Sequence, residues 1–125
     1  MNQDSNEPLG EQRLSPPKVF GLATTQTEFE AYQSKAFPAR SSQFFALELA
    51  GECGELANLE KKIWRDPSRT DCIAELGGEA ADVFIALMNY CNARQIDLEA
   101  EVTKKLQKIE LRRVQGLMGE RPREK

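Results

Sequence analysis

Residues Ser41–Ile63 read SSQFFALELAGECGELANLEKKI, and their periodicity decides the fold. Phe45, Leu49, Leu56, Leu59 and Ile63 recur at intervals of three, four and seven. At 3.6 residues per turn they form one apolar stripe on a helix, with Cys53 beside it. Ser41 or Ser42 supplies the side-chain oxygen that opens the helix. Along the border of the stripe run Glu48, Glu52 and Glu55, spaced i, i+4 and i+7, within a sector of roughly 60°.

The same grammar extends outward. Asp66-Pro67-Ser68-Arg69 breaks the helix and turns the chain. Thr70 is placed to cap a second long helix, running to about Arg94, with Leu76, Ala80, Val83, Leu87 and Cys91 on its inner stripe. That helix carries a second acidic block, Glu75, Glu79 and Asp82, at the same spacing. Asp97 caps a last helix through Val102, Leu106 and Ile109 to about Gly116. Upstream, Thr25 or Thr27 caps a short helix through Glu28, Phe29, Tyr32 and Lys35 that ends before Pro38. Strand alternation is absent throughout. The expectation is an all-α fold, an antiparallel bundle of about four helices. Helices joined by a short turn pack antiparallel, so the two acidic blocks are expected to face one another near the middle.

The 125 residues suit one domain. Residues 1–19 read as a flexible arm, 20–116 as the helical domain and 117–125 as a flexible basic tail. A domain of roughly 100 residues buries little apolar surface alone, which points to a homo-oligomer, a dimer or a tetramer. The net charge of −3 is unevenly spread: Lys104–Lys125 holds eight Lys/Arg against three acids. No aromatic residue is interleaved there, so the stretch reads as a solvated face that also neutralises phosphates or acidic neighbours. Cys53, Cys72 and Cys91 have no metal-type spacing and read as small apolar residues of helix interiors in a reducing, cytoplasmic setting. No secretory signal and no 18-residue apolar run argues for a membrane.

Chemistry concentrates in the acidic blocks. Like charges at i, i+4 weaken a helix by about 0.2–0.5 kcal/mol per pair, and this chain places them there twice. Four of its eight glycines, Gly51, Gly54, Gly77 and Gly78, lie in the same blocks. Each costs a helix about 0.5–1 kcal/mol relative to alanine, which calls for a compensating reason: close helix approach, or room beside a cavity. Facing E-x-x-E and E-x-x-D turns offer the oxygen-rich cage that hard cations such as Mg²⁺, or Mn²⁺ in its place, require. Glu52, Glu55, Glu79 and Asp82 are therefore the candidate metal ligands. The chain has no histidine, which argues against di-iron sites, ordinary catalytic zinc and His-assisted nucleophiles. It has no phosphate loop of the G-x-x-x-x-G-K-[ST] type either.

At these residues the sequence resembles the MazG-like all-α nucleoside triphosphate pyrophosphohydrolases, with their dCTP pyrophosphatase and dimeric dUTPase-like relatives. The family pattern, E-x-x-E followed by E-x-x-D, reads Glu52-Cys53-Gly54-Glu55 and Glu79-Ala80-Ala81-Asp82, separated by 23 residues. Flanking text agrees at Gly54-Glu55-Leu56-Ala57, Ala81-Asp82-Val83-Phe84-Ile85, Ile96-Asp97-Leu98 and Lys105-Leu106-Gln107-Lys108, with Arg112 and Arg113 beyond. The resemblance covers Thr25 to Arg113. Two positions depart from it: Gly51 stands where many relatives have Glu, and Ile109 where many have Asn.

The resemblance implies a Mg²⁺-dependent hydrolysis of a nucleoside triphosphate, preferably a deoxynucleotide, to the monophosphate and pyrophosphate, in nucleotide-pool house-cleaning. Glu52, Glu55, Glu79 and Asp82 would be ligands and catalytic groups. Lys62, seven residues after Glu55, and Lys105, which matches the family's lysine, would hold phosphate oxygens, with Arg112 in support. Asn89, seven after Asp82, would bond sugar or base. Phe37, Phe44, Phe45 and Trp64 have rings that stack on a base or simply fill the core. Two other classes stay open: a non-catalytic helical oligomer with an acidic docking patch, and a nucleic-acid-binding module using the basic C-terminal helix and tail.

Overall fold

The computed structural model describes residues 12–116, which form four α-helices and no strand: α1 (Leu22–Ala36), α2 (Ser42–Arg65), α3 (Thr70–Ala93) and α4 (Leu98–Val114). The chain divides into two compact units. One spans Ala23–Asp97, and the other combines the described residues before Ala23 with those from Leu98 onward. Residues 1–11, within the expected arm, and the expected tail 117–125 lie outside the described residues. Among the described residues no helix is long and apolar enough to cross a membrane.

The larger unit is built on the α2–α3 hairpin, the one extensive helix–helix packing among the described residues. Ser41 caps α2, its Oγ accepting the Phe44 N–H at 3.2 Å. The turn is fixed by Asp66, whose Oδ1 accepts both the Ser68 N–H (3.2 Å) and the Ser68 hydroxyl (2.6 Å). Thr70 does not cap α3. It is the first helical residue, its N–H taken by the Ser68 carbonyl at 2.8 Å, and Arg69 occupies the cap position without a side-chain bond. Arg69 instead forks onto Asp71 with two 2.9 Å bonds that hold the Asp71 carboxyl down at about 2. That keeps a negative charge at the positive end of the helix dipole.

Of the expected α2 stripe, Phe45 and Leu59 are buried and Leu49, Leu56 and Ile63 half-buried. Cys53 is exposed, because it sits about 100° around the helix from Glu52 and so leaves the inner face. In α3, Cys91 is buried, Leu76, Val83 and Leu87 are half-buried, and Ala80 is exposed. The core is concentrated in the second half of α3. Ala86, Met88, Asn89 and Cys91 are all buried there, at positions pointing all round the helix. A helix enclosed on every side needs a covering element opposite α2, and α1 supplies it through an edge-to-face contact of Phe29 on Phe84, centroids 5.9 Å apart.

α1 begins earlier than its threonines suggest. Thr25 and Thr27 lie inside it, and Thr27 bonds back to the Ala23 carbonyl. The start is set by Gly21 at φ +72°, a conformation glycine adopts without strain. It is set also by Glu99, whose Oε1 accepts the otherwise orphaned Leu22 N–H at 2.8 Å.

α3 ends in a Schellman motif: Ile96 N–H bonds the Cys91 carbonyl (2.8 Å) and Gln95 N–H the Asn92 carbonyl (3.1 Å). Its left-handed residue is Gln95, at φ +56°, where a glycine would be unstrained. Gln95→Gly is therefore expected to stabilise the protein by about 0.5–1 kcal/mol in denaturant unfolding, whereas the β-branched Gln95→Val should destabilise it.

In the smaller unit the segment before α1 is tied to α4. Glu110 is buried at 8% exposure, accepts the Leu14 N–H and pairs with Arg113 at 2.7 Å, while Arg113 donates to the Gln12 carbonyl. The Arg113 guanidinium, with the Leu14 N–H, holds the Glu110 carboxyl at about 2, against an ordinary 4.5. A depressed carboxyl stabilises the fold above its unfolded pKa, and that contribution fades as pH falls from about 4.5 towards 2. Between pH 5 and 2, wild-type denaturation midpoints should fall more steeply than those of Glu110→Gln.

Candidate metal centre and adjoining cavity

The hairpin brings the two acidic blocks together. With the connector centred near Pro67–Ser68, antiparallel pairing sets residues whose numbers sum to about 135 opposite each other, so Glu79 falls across from the turn holding Glu52 and Glu55. One carboxylate oxygen from each of Glu52, Glu55 and Glu79 lies within 4.8 Å of the others.

Helix arithmetic explains why these acids are hidden. Counted from Phe45, Glu52 lies only about 20° off the axis of the stripe formed by Phe45, Leu49, Leu56, Leu59 and Ile63. It occupies the middle of the inner face rather than its border. Glu52 and Glu79 are half-buried, and the Oε2 atom of each is fully buried without a hydrogen-bond partner. Burial, followed by the charges of Glu55, Asp82 and Glu48, pushes the Glu52 carboxyl above its ordinary range. Burial, then the adjacent Glu55 carboxylate and the charges of Asp82 and Glu52, does the same to Glu79. Asp82 is exposed and lies outside the three-oxygen cluster, yet its charge acts on both neighbours.

A buried carboxylate oxygen with no donor is costly, and other carboxylates close by add to the cost. The arrangement fits a hard cation. Mg²⁺ binds oxygen at about 2.0–2.1 Å and Ca²⁺ at about 2.3–2.6 Å, so ligand oxygens around one ion lie about 3–5 Å apart, the spacing found here.

Among the four block glycines, Gly51, Gly54, Gly77 and Gly78, an added Cβ would meet nothing within 4 Å. Close approach of α2 and α3 is therefore not what requires them. α3 also runs through Gly77 and Gly78 without a break.

Beside the acids lies an open cavity of about 710 Å³. Phe29 and Tyr32 of α1, Phe37 of the connector, and Phe44 and Phe45 of α2 line it, with Asn89 of α3. Glu48, one turn before Glu52, lies on its wall, so the cavity and the acidic cluster share a helix. Arg40 stacks on Phe44 at the rim, 4.8 Å from the ring centroid. Asn89 is 8% exposed, and its side-chain amide makes no hydrogen bond among the described residues. Helical spacing alone gives Phe29, Tyr32 and Arg40 no part in a site. The signal that could have found them is density: residues 29–45 hold five of the eight Phe and Tyr side chains.

The remaining candidates are more scattered. Lys62 is exposed in the last turn of α2. Lys105 and Arg112 are exposed on α4, in the other unit, and none of these three forms an ion pair among the described residues. Trp64 is 82% exposed near the end of α2, about 18 Å of helix beyond Glu52, and does not line the cavity. Within the basic stretch, Lys104 pairs with Glu101 at 3.5 Å and Arg113 with Glu110.

Comparison of the chain with protein-family models, with characterised proteins and with solved structures gives no match.

Proposed function

We propose that this protein is a divalent-cation-dependent nucleoside triphosphate pyrophosphohydrolase of the MazG-like type, cleaving a deoxynucleotide to its monophosphate and pyrophosphate. The observation that carries the reading is the pair of buried, unpartnered oxygens on Glu52 and Glu79, drawn together with Glu55. Acids so placed repel one another and raise each other's proton affinity, an arrangement that makes sense if a cation relieves it. Glu52, Glu55 and Glu79 would hold Mg²⁺, or Mn²⁺ in its place, with Asp82 adding charge from the adjacent turn. When bound, the ion would neutralise polyphosphate oxygens and increase the acidity of a water facing the α-phosphorus.

The cavity supports a nucleotide as the guest. Its aromatic walls offer faces for a planar base, and the free amide of Asn89 offers a donor and an acceptor to a base edge or sugar. Lys62, exposed and without an ion pair among the described residues, is available for phosphate oxygens, and the resemblance alone adds Lys105 and Arg112. The chain would work as a homo-dimer or tetramer. In favour of that, Leu47 and Ile73 remain 76% and 46% exposed on the hairpin, more apolar surface than a lone helical pair covers.

The test is product analysis. Each deoxynucleoside triphosphate is incubated with the protein and Mg²⁺, alongside Glu55→Gln and Asp82→Asn. The reading expects monophosphate and pyrophosphate from the wild type, with large losses in the variants. Diphosphate plus phosphate, or equal turnover by all three proteins, would overturn it.

A further inference from the structure

α1 forms one wall of the aromatic cavity, yet its only buried residue is polar: Gln26, at 7% exposure. The helix lacks the apolar stripe that ordinarily docks a helix, and Phe29 on Phe84 is its single aromatic contact with α3 among the described residues. What fixes its register is a two-way amide bond. Gln26 Nε2 donates to Asn92 Oδ1 at 3.1 Å and to the Ile96 carbonyl at 2.8 Å, while Asn92 Nδ2 donates back to the Gln26 carbonyl at 2.9 Å.

Both anchor points are rigid. Asn92 and Ile96 belong to the Schellman closure of α3, so Gln26 grips a structure already locked by its own backbone bonds. Asn92 also lies one helical turn after Asn89, on the same side of α3, and lines a smaller hollow that adjoins Asn89 and Phe45. The free amide and the tied amide are thus held by the same stretch of helix.

We propose that Gln26 and Asn92 are positioning residues for the cavity, setting the distance of Phe29 and Tyr32 from Asn89 and so the fit of a planar ring between them. The inference rests on the nucleotide reading only in taking that ring to be the substrate's base. Hydrogen bonds are strongly directional, whereas an apolar contact tolerates sliding, so replacing the pair shifts α1 along α3 without opening the hairpin.

The experiment uses the full chain with Gln26→Ala, Asn92→Ala, the double variant and Gln26→Glu, which keeps the size of the side chain and removes both donors. Amide hydrogen exchange is followed by mass spectrometry. Peptides covering 26–36 should lose protection at least about tenfold in every variant, while peptides from α2 and α3 keep theirs. The double variant should be worse than either single but milder than their sum, since the two singles share only the Gln26 Nε2–Asn92 Oδ1 bond, each leaving one bond that the other removes. With a deoxynucleoside triphosphate and Mg²⁺, KM should rise at least about fivefold with kcat within about twofold, and Mn²⁺ affinity should not change.

Undiminished protection of α1, additive single effects, or equal loss of protection in α2 and α3 would overturn the proposal. So would a fall in kcat at constant KM. A wild type that hydrolyses no nucleotide would sink the functional reading alone, because exchange at α1 decides the positioning role without turnover.

Discussion

Glu79→Gln should make the metal-free protein more resistant to heat while lowering hydrolysis about 10²–10³-fold. The two effects run in opposite directions because they draw on the same buried charge. In the metal-free chain Glu79 shares its space with Glu55, Glu52 and Asp82, and burial with their charge pushes its carboxyl above the ordinary range. A carboxyl raised in the folded state binds its proton more tightly than in the unfolded chain. Its penalty is therefore absent at low pH and sets in as pH rises through the interval between 4.5 and the raised value. Above the raised value the penalty is fully present, and a neutral amide removes it. The same amide cannot supply an anionic ligand oxygen, so the proposed cation would lose its anchor. Thermal melting with excess chelator, set beside turnover with Mg²⁺, checks both halves. A variant that melts earlier and keeps its activity would assign Glu79 an ordinary structural role.

Met88→Ala is expected to destabilise the protein by about 2–5 kcal/mol, the largest stability effect of any substitution considered. Met88 is 0% exposed, the most buried large side chain, and sits where α3 is enclosed on all sides. Truncation leaves a cavity that neighbours fixed by helix backbone cannot fill. Met88→Leu, close in volume, should cost less than about 1.5 kcal/mol. Denaturant unfolding measures both. A cost for Met88→Ala below about 1 kcal/mol would mean that the second half of α3 is not the core.

The parts of this architecture legible in the sequence are those set by local period and short connection. The stripes of α2 and α3, the Ser41 cap, the turn at Asp66 and the facing of the acidic blocks all follow from spacings of three, four and seven and from one tight turn. The other features depend on contacts between distant segments. Gln26 meets Asn92 across 66 residues and Arg113 meets Gln12 across 101, and neither pairing leaves a periodic trace. For the same reason periodicity gives Glu110 no role beyond that of a surface acid, and Arg113 no role distinct from that of Arg112. The start of α1 differs from the expected one because Glu99, 77 residues away, performs the capping that Thr25 or Thr27 was expected to provide.

The block glycines mark where sequence logic and fold diverge. Their clustering suggests that α2 and α3 touch backbone to backbone, but the space beside them is open. In a homo-oligomer of the proposed kind that open face is where another copy or a bulky polyphosphate would have room.

Whether Glu52, Glu55 and Glu79 form a cation site is decided by Mn²⁺ binding to the metal-free protein, read from the loss of the free-ion electron paramagnetic resonance signal. The account predicts saturable binding by the wild type that strengthens as pH rises, since the raised carboxyls must release their protons first. It predicts binding weakened at least about tenfold in Glu52→Gln and in Glu79→Gln. Binding of equal strength in all three proteins, or none in the wild type, would contradict it.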